Sequence, residues 1–356
     1  MKRLSNGSSV SLDFIRAAAS QAVMIGHGIS FCGVFKSYHP PNFPWIQNIS
    51  VVVFFILSGF LISYSMAAKK ENSQYKFRHY FVDRFSRIYT AFVPALAFVL
   101  AIDLITKFFF GSNYRYERAF NIETLLGNLL QFQDFPILRA ITSFGSARPF
   151  WTLAVEWWIY MFVGYVVFYL MRKDQIQRFD WIILSLLSII PIYNFFGGRG
   201  NGLMLFWLYG TAAFVVWNSC LLNRFSIAKK IFFLFLFGYI AGLRVGLTLR
   251  EYDSLFAFCI AIMILLIVEL ASNIKLFTFF TNFSKYIASF SYTLYLTHYS
   301  VFDFLTTGFA GDVNPYVLFC IGVVISNLIA IVIGRPIETY MTTVIKDRMY
   351  RYVENF

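Results

Sequence analysis

The chain has 356 residues, 58% of them hydrophobic, 21% aromatic and only 13% charged, with a mean hydropathy of +0.64. That usage excludes an ordinary soluble domain, in which about a quarter of the residues are charged. The net charge of +12 would suggest nucleic acid in a soluble chain. Here the basic residues cluster in short loops between apolar runs, as the positive-inside bias requires, and no nucleic-acid partner is expected.

Read from the start, Met1 to Ser11 holds Lys2 and Arg3 but leads into a long span with Asp13 and Arg16, so it does not read as a cleaved signal peptide. Apolar runs near twenty residues then recur to the end, each long enough for a hydrocarbon core of ~30 Å. The predicted fold is all-α, a polytopic transmembrane helical bundle forming one domain over 1–356. Its ten spans fall at about 12–33, 49–66, 88–110, 150–171, 180–197, 203–222, 231–248, 253–271, 287–309 and 316–334. With both termini cytoplasmic, 20 of the 30 Lys and Arg fall on the inner side, nine on the outer side, and Arg16 within a span. In the outer connection 111–149, residues 121–132 carry apolar side chains at helical spacing and are predicted to lie along the membrane surface. The four cysteines are isolated in or beside apolar runs and read as packing residues.

Titratable residues inside a span cost several kcal/mol unless paired or wetted, so each is a functional candidate. Arg16 and His27 are eleven positions apart, nearly three full turns, which puts both on one helix face about 16 Å apart. Snorkelling of Arg16 to the headgroups is the alternative for that residue. Ser58 and Gly59 sit mid-span, where small residues mark close helix packing. Arg78, Arg84 and Arg87 flank the start of the third span, and the i, i+3 pair Arg84 and Arg87 suits bidentate phosphate recognition. Asp103 lies deeper in that span, where Lys107 one turn later is placed to neutralise it.

Glu156 falls about 9 Å below the outer edge of the fourth span, the same depth as His27, where a carboxylate can fix an imidazole tautomer. Arg148 at the interface is its alternative partner. In the ninth span, Ser291 to His298 presents several hydroxyls and a histidine, including Tyr295, as a polar lining. The sequence carries no GxGxxG, no Walker loop and no metal-ligand cluster.

These motifs in order, Leu12-Asp13-Phe14-Ile15-Arg16 followed by His27, Phe54 to Phe60, Arg84-Phe85-Ser86-Arg87-Ile88, Phe150 to Glu156, and Ser291 to His298, resemble acyltransferase family 3, the membrane acyltransferases that modify bacterial surface glycans. The chain departs from the family's common pattern at Arg335-Pro336-Ile337-Glu338, where proline precedes glutamate, so no role is carried onto Glu338. Its length resembles that of stand-alone members, without a fused periplasmic hydrolase-like domain.

The resemblance implies transfer of an acetyl group from cytoplasmic acetyl-CoA to a hydroxyl of O-antigen, exopolysaccharide or a lipid-linked oligosaccharide, at the periplasmic face of the bacterial inner membrane. In that scheme Arg16, Arg84 and Arg87 hold the CoA phosphates, and His27 is the general base or acyl acceptor, oriented by Glu156. Ser58, Tyr295, His298 and Arg148 line the channel, and no metal takes part. A proton-coupled transporter is the second reading, since intramembrane His, Glu, Asp and Arg also mark such pathways. It leaves the paired arginines without a task, and no inverted repeat supports it.

Overall fold

The computed structural model describes residues 1–69, 72, 74–136, 141–170, 178–274 and 276–354. Five basic residues of the charge count, Lys70, Arg139, Arg172, Lys173 and Lys275, lie outside the described residues. The described chain is helical and contains no strand. In order the helices are α1 (Asn6–Cys32), α2 (Ile46–Ala68), α3 (Phe77–Phe110), α4 (Ile122–Leu129), α5 (Phe150–Tyr165), α6 (Arg178–Phe196), α7 (Leu203–Asn218), α8 (Ile227–Thr248), α9 (Ser254–Ala271), α10 (Thr278–Ala288), α11 (Ser291–Phe309), α12 (Pro315–Ile329) and α13 (Thr342–Glu354).

The predicted spans overlap these helices, but 287–309 straddles the break between α10 and α11, and 150–171 and 316–334 run past the ends of α5 and α12. Among the described residues, seven helices are long and apolar enough to cross a membrane, which makes this a multi-pass membrane protein. α1 and α11 have 27 and 19 residues but are not among the seven. Their apolar character is diluted by Asp13, Arg16 and His27 in one and by the hydroxyl-rich row from Ser291 in the other.

Three differences from the sequence reading have physical causes. α3 begins at Phe77, eleven residues before the predicted span, because the polar stretch around Arg78, Asp83 and Arg84 continues the helix beyond the apolar run. α10 and α13 are amphipathic helices of 11 and 13 residues, too short to cross a membrane on their own. Past α12 the chain runs through two π-helical turns, Ala330–Gly334 and Ile337–Met341, on either side of the Arg335-Pro336 step. These wider turns carry the helical path past a proline that lacks an amide hydrogen.

The chain forms two compact units. The first comprises Met1–Gly26, Phe35–Asn72 and Gly200–Ser291. Its α2 and α7 pack backbone to backbone through reciprocal glycines: a Cβ on Gly59 would stand 1.9 Å from the Trp207 carbonyl oxygen, and one on Gly210 would stand 2.0 Å from that of Ile56. Small residues at a crossing permit this approach. The Trp207 indole N–H donates to Ser58 Oγ at 3.1 Å across the same contact. In the same unit Glu269, 2% exposed, accepts from Lys2 Nζ at 2.5 Å and Lys230 Nζ at 3.1 Å, and Lys2 also lies over the Trp217 ring.

The second unit comprises His27–Val34, Ser73–Arg199 and Tyr292–Phe356. Phe302 of α11 fills the space left by two missing side chains, Gly28 at the end of α1 and Gly322 on α12, so three helix backbones close around one ring. The connection after α3 is pinned by buried carboxylates. Asp103 accepts from the Tyr114 hydroxyl at 3.0 Å, the Ser146 amide at 2.8 Å and Ser146 Oγ at 2.6 Å. Lys107, expected to neutralise Asp103, instead pairs with Glu117 at 2.8 Å, because neutral donors from the connection between α3 and α5 already fill the carboxylate. Asp303 takes the Tyr116 hydroxyl at 3.3 Å and lies 3.7 Å from the Arg115 guanidinium.

Candidate active site

His27 sits near the C-terminal end of α1 and His298 in the middle of α11. Their rings stack with centroids 5.1 Å apart at 26°, and His27 Nδ1 lies 2.9 Å from His298 Nε2. His298 Nδ1 in turn lies 2.8 Å from the carbonyl oxygen of Leu294, one turn earlier on the same helix. This chain of contacts assigns the protons. A carbonyl oxygen can only accept, so His298 carries its proton on Nδ1 and donates it to Leu294. The neutral ring then offers Nε2 as an acceptor, and His27 must donate from Nδ1. What remains on His27 is the lone pair of Nε2, the form a general base requires. His298 is fully buried, whereas His27 is half-buried, so the reachable ring is the one with the lone pair. Tyr299 packs edge-on against His27 at 5.0 Å.

Glu156, on the second turn of α5, accepts a short hydrogen bond from the hydroxyl of Tyr160, one turn on. It also interacts electrostatically with Tyr292 and Tyr295 of α11. Tyr295 is buried; its hydroxyl is 2.5 Å from Thr152 Oγ1 and donates to the Pro149 carbonyl at 3.3 Å. The row is anchored at its first turn by Glu338, whose Oε1 accepts from the Thr293 amide at 2.8 Å and from Thr293 Oγ1 at 2.9 Å. A carboxylate on the free amides of a helix N-terminus is favourable on both hydrogen-bond and dipole grounds.

Arg84 and Arg87 lie on α3 against the same elements. The Arg84 guanidinium stands over the rings of Tyr80 and Tyr160, at 5.6 and 5.9 Å, and that of Arg87 over Tyr292 at 5.5 Å. Among the described residues no carboxylate comes within ion-pair distance of either one. Arg84 Nε and the Tyr292 hydroxyl are buried without a hydrogen-bond partner. Two aromatic-backed guanidinium groups with orphaned polar atoms beside them suit an anionic ligand of phosphate geometry.

The remaining sequence candidates make contacts of their own. Arg16 is ion-paired with Asp13 at 2.7 Å, one turn earlier on α1, within the first unit. Ser58 belongs to the contact of α2 with α7. Arg148 is half-buried, its backbone amide donating to the Ser146 carbonyl at 2.7 Å. No group of three His, Cys, Asp or Glu side chains able to hold a metal occurs among the described residues.

Three contributors escaped the sequence reading. Tyr160 looks like a membrane aromatic until its hydroxyl is placed on Glu156. Arg199, in a glycine-rich turn, is held by Asp134 at 3.0 Å and stacked on Trp151 at 4.6 Å, and its charge is felt at His27 and Tyr295. Beside α3, burial and the adjacent Asp83 push the Tyr75 hydroxyl well above the usual phenol range, so it stays a donor to Asp83 at 2.7 Å.

No curated protein and no solved structure matches the chain. The family model described as an acyltransferase domain matches residues 9–335, a stretch that contains the histidine pair, Glu156 and the two arginines. With the match running through nearly the whole sequence, the chain belongs to acyltransferase family 3 and is a membrane acyltransferase.

Proposed function

We propose that this acyltransferase moves an acetyl group from acetyl-CoA to a hydroxyl of a bacterial surface polysaccharide, with His27 as general base. The observation that carries the reading is the relay from the Leu294 carbonyl through His298 to His27, which leaves the His27 Nε2 lone pair available. The donor supplies an activated thioester. Arg84 and Arg87 are the groups suited to its phosphates, and the orphaned Arg84 Nε and Tyr292 hydroxyl fit that assignment.

In the reaction His27 Nε2 takes the proton of the acceptor hydroxyl as its oxygen bonds to the thioester carbonyl carbon. The C–S bond then breaks and the leaving thiolate takes that proton from the imidazolium, so charge and protons balance. Placement of such a base is worth about 10²–10⁴-fold. Glu156, interacting electrostatically with Tyr292 and Tyr295, supplies negative charge that supports the transient imidazolium and orders the hydroxyl row. With the N-terminus cytoplasmic, the arginine end faces the donor's compartment and the histidine end the periplasm. This makes the inner membrane the expected location and lets the acyl group cross without moving CoA.

The test is acetylation of surface polysaccharide in cells expressing wild type, His27→Ala or Glu156→Gln at matched levels, read by mass spectrometry. Loss of acetylation in His27→Ala is expected. Full activity in that variant, or substrate flux into vesicles without consumption of acetyl-CoA, overturns the proposal.

A further inference from the structure

α13 (Thr342–Glu354) lies beyond the residues that the family model matches. Two of its side chains converge on one carboxylate. Asp83 of α3 is 3% exposed and holds Lys346 Nζ at 2.8 Å. It also accepts from the Tyr350 hydroxyl at 3.1 Å and from the Tyr75 hydroxyl at 2.7 Å. The Tyr350 ring packs on His79 with centroids 5.5 Å apart, and its hydroxyl lies 3.4 Å from the His79 carbonyl. A side chain this buried, with one cation and two hydroxyls brought from two separate segments, is a built contact.

Helical spacing offers Asp83 a different partner. Arg87 is four residues on, and an acid preceding a base at i, i+4 is the favourable order for an ion pair on one helix face. The structure does not make that pair: Arg87 lies on the Tyr292 ring. Arg84, adjacent to Asp83 and therefore on a different face of the helix, lies over Tyr80 and Tyr160. Asp83 paired with Arg87 would fill the same donor fork that a phosphate needs.

We propose that α13 is a retaining helix for the donor site: Lys346 and Tyr350 hold the Asp83 carboxylate away from Arg87, keeping that guanidinium available to the anionic portion of the acyl donor. This rests on the reading that Arg84 and Arg87 bind the donor. Lys346 and Tyr350 are positioning residues, acting on binding through Asp83.

The experiment measures initial rates against acetyl-CoA concentration for the full chain in nanodiscs. Combining Lys346→Met with Tyr350→Phe removes both α13 contacts from Asp83, and the expected result is a KM for acetyl-CoA raised about fivefold with kcat within twofold of wild type, the upper end of a modest ion-pair competition. Adding Asp83→Asn removes the competing charge and returns KM to within twofold of wild type. An unchanged KM in the double variant overturns the inference, as does a KM that stays high after Asp83→Asn, since a merely structural role for α13 predicts no rescue.

If the double variant is not monodisperse on size exclusion, Lys346→Gln alone, with and without Asp83→Asn, gives the same two readings. Arg84→Ala with Arg87→Ala separates the layers. Unchanged KM there overturns the donor site itself; a raised KM there with no effect from Lys346 overturns only the role of α13.

Discussion

Replacing His298 by alanine isolates the relay that defines the base. The substitution deletes the acceptor 2.9 Å from His27 Nδ1 and leaves that N–H without its partner in a site where His298 itself is fully buried. A buried donor left unsatisfied costs about 1–3 kcal/mol. The imidazole can escape the cost by shifting its proton to Nε2, which removes the reactive lone pair. At ~1.4 kcal/mol per factor of ten, kcat falls roughly 5- to 150-fold, within the ceiling of about 10²–10⁴ set by the whole worth of a general base. The assay is transfer of labelled acetyl from acetyl-CoA by purified enzyme in nanodiscs. KM for acetyl-CoA stays within about twofold, because Arg84 and Arg87 are untouched. His298→Gln has an amide oxygen able to accept from His27 Nδ1, so it recovers most of kcat. The reasoning is refuted if His298→Ala keeps wild-type kcat, or if Ala and Gln are equally impaired while both remain folded.

Three other outcomes follow from the packing. Gly59→Ala drives a methyl into the Trp207 carbonyl and should collapse the yield of monodisperse protein, while Gly242→Ala, which meets nothing within 4 Å, leaves it unchanged. Ser58→Ala removes an acceptor from Trp207, with a stability loss of about 1 kcal/mol; thermal unfolding should show that loss and turnover should persist, whereas abolished turnover in folded protein would make Ser58 part of the chemistry. Glu269→Gln leaves two lysine ammonium groups facing a neutral amide at a buried position, a change worth about 3–5 kcal/mol of destabilisation when one partner of a buried pair is lost; a melting temperature equal to wild type would show the contact to be wetted.

Much of this protein was legible before any coordinates, for a simple reason. A hydrocarbon core demands apolar runs near twenty residues and taxes every charge within them, so the composition fixed an all-helical membrane bundle, and the exceptions to apolarity singled out Arg16, His27, Glu156 and His298. Depth along a helix grows by a fixed ~1.5 Å per residue, which led to the expectation that Glu156 and His27 share a level. Depth does not give azimuth. Only the packing of the second unit showed that the ring nitrogen of His27 meets His298, while Glu156 is held by Tyr160 and interacts electrostatically with the tyrosines of α11.

The arginines show the same division. Their i, i+3 spacing marks one face of α3, but the i, i+4 pair with Asp83 that spacing equally allows is not formed, because α13, more than 250 positions away, supplies Lys346 and Tyr350. Sequence by itself determined which residues were costly enough to need partners. Tertiary structure decided which partner each one has, because such choices are made between helices remote in the chain, where local periodicity carries no information.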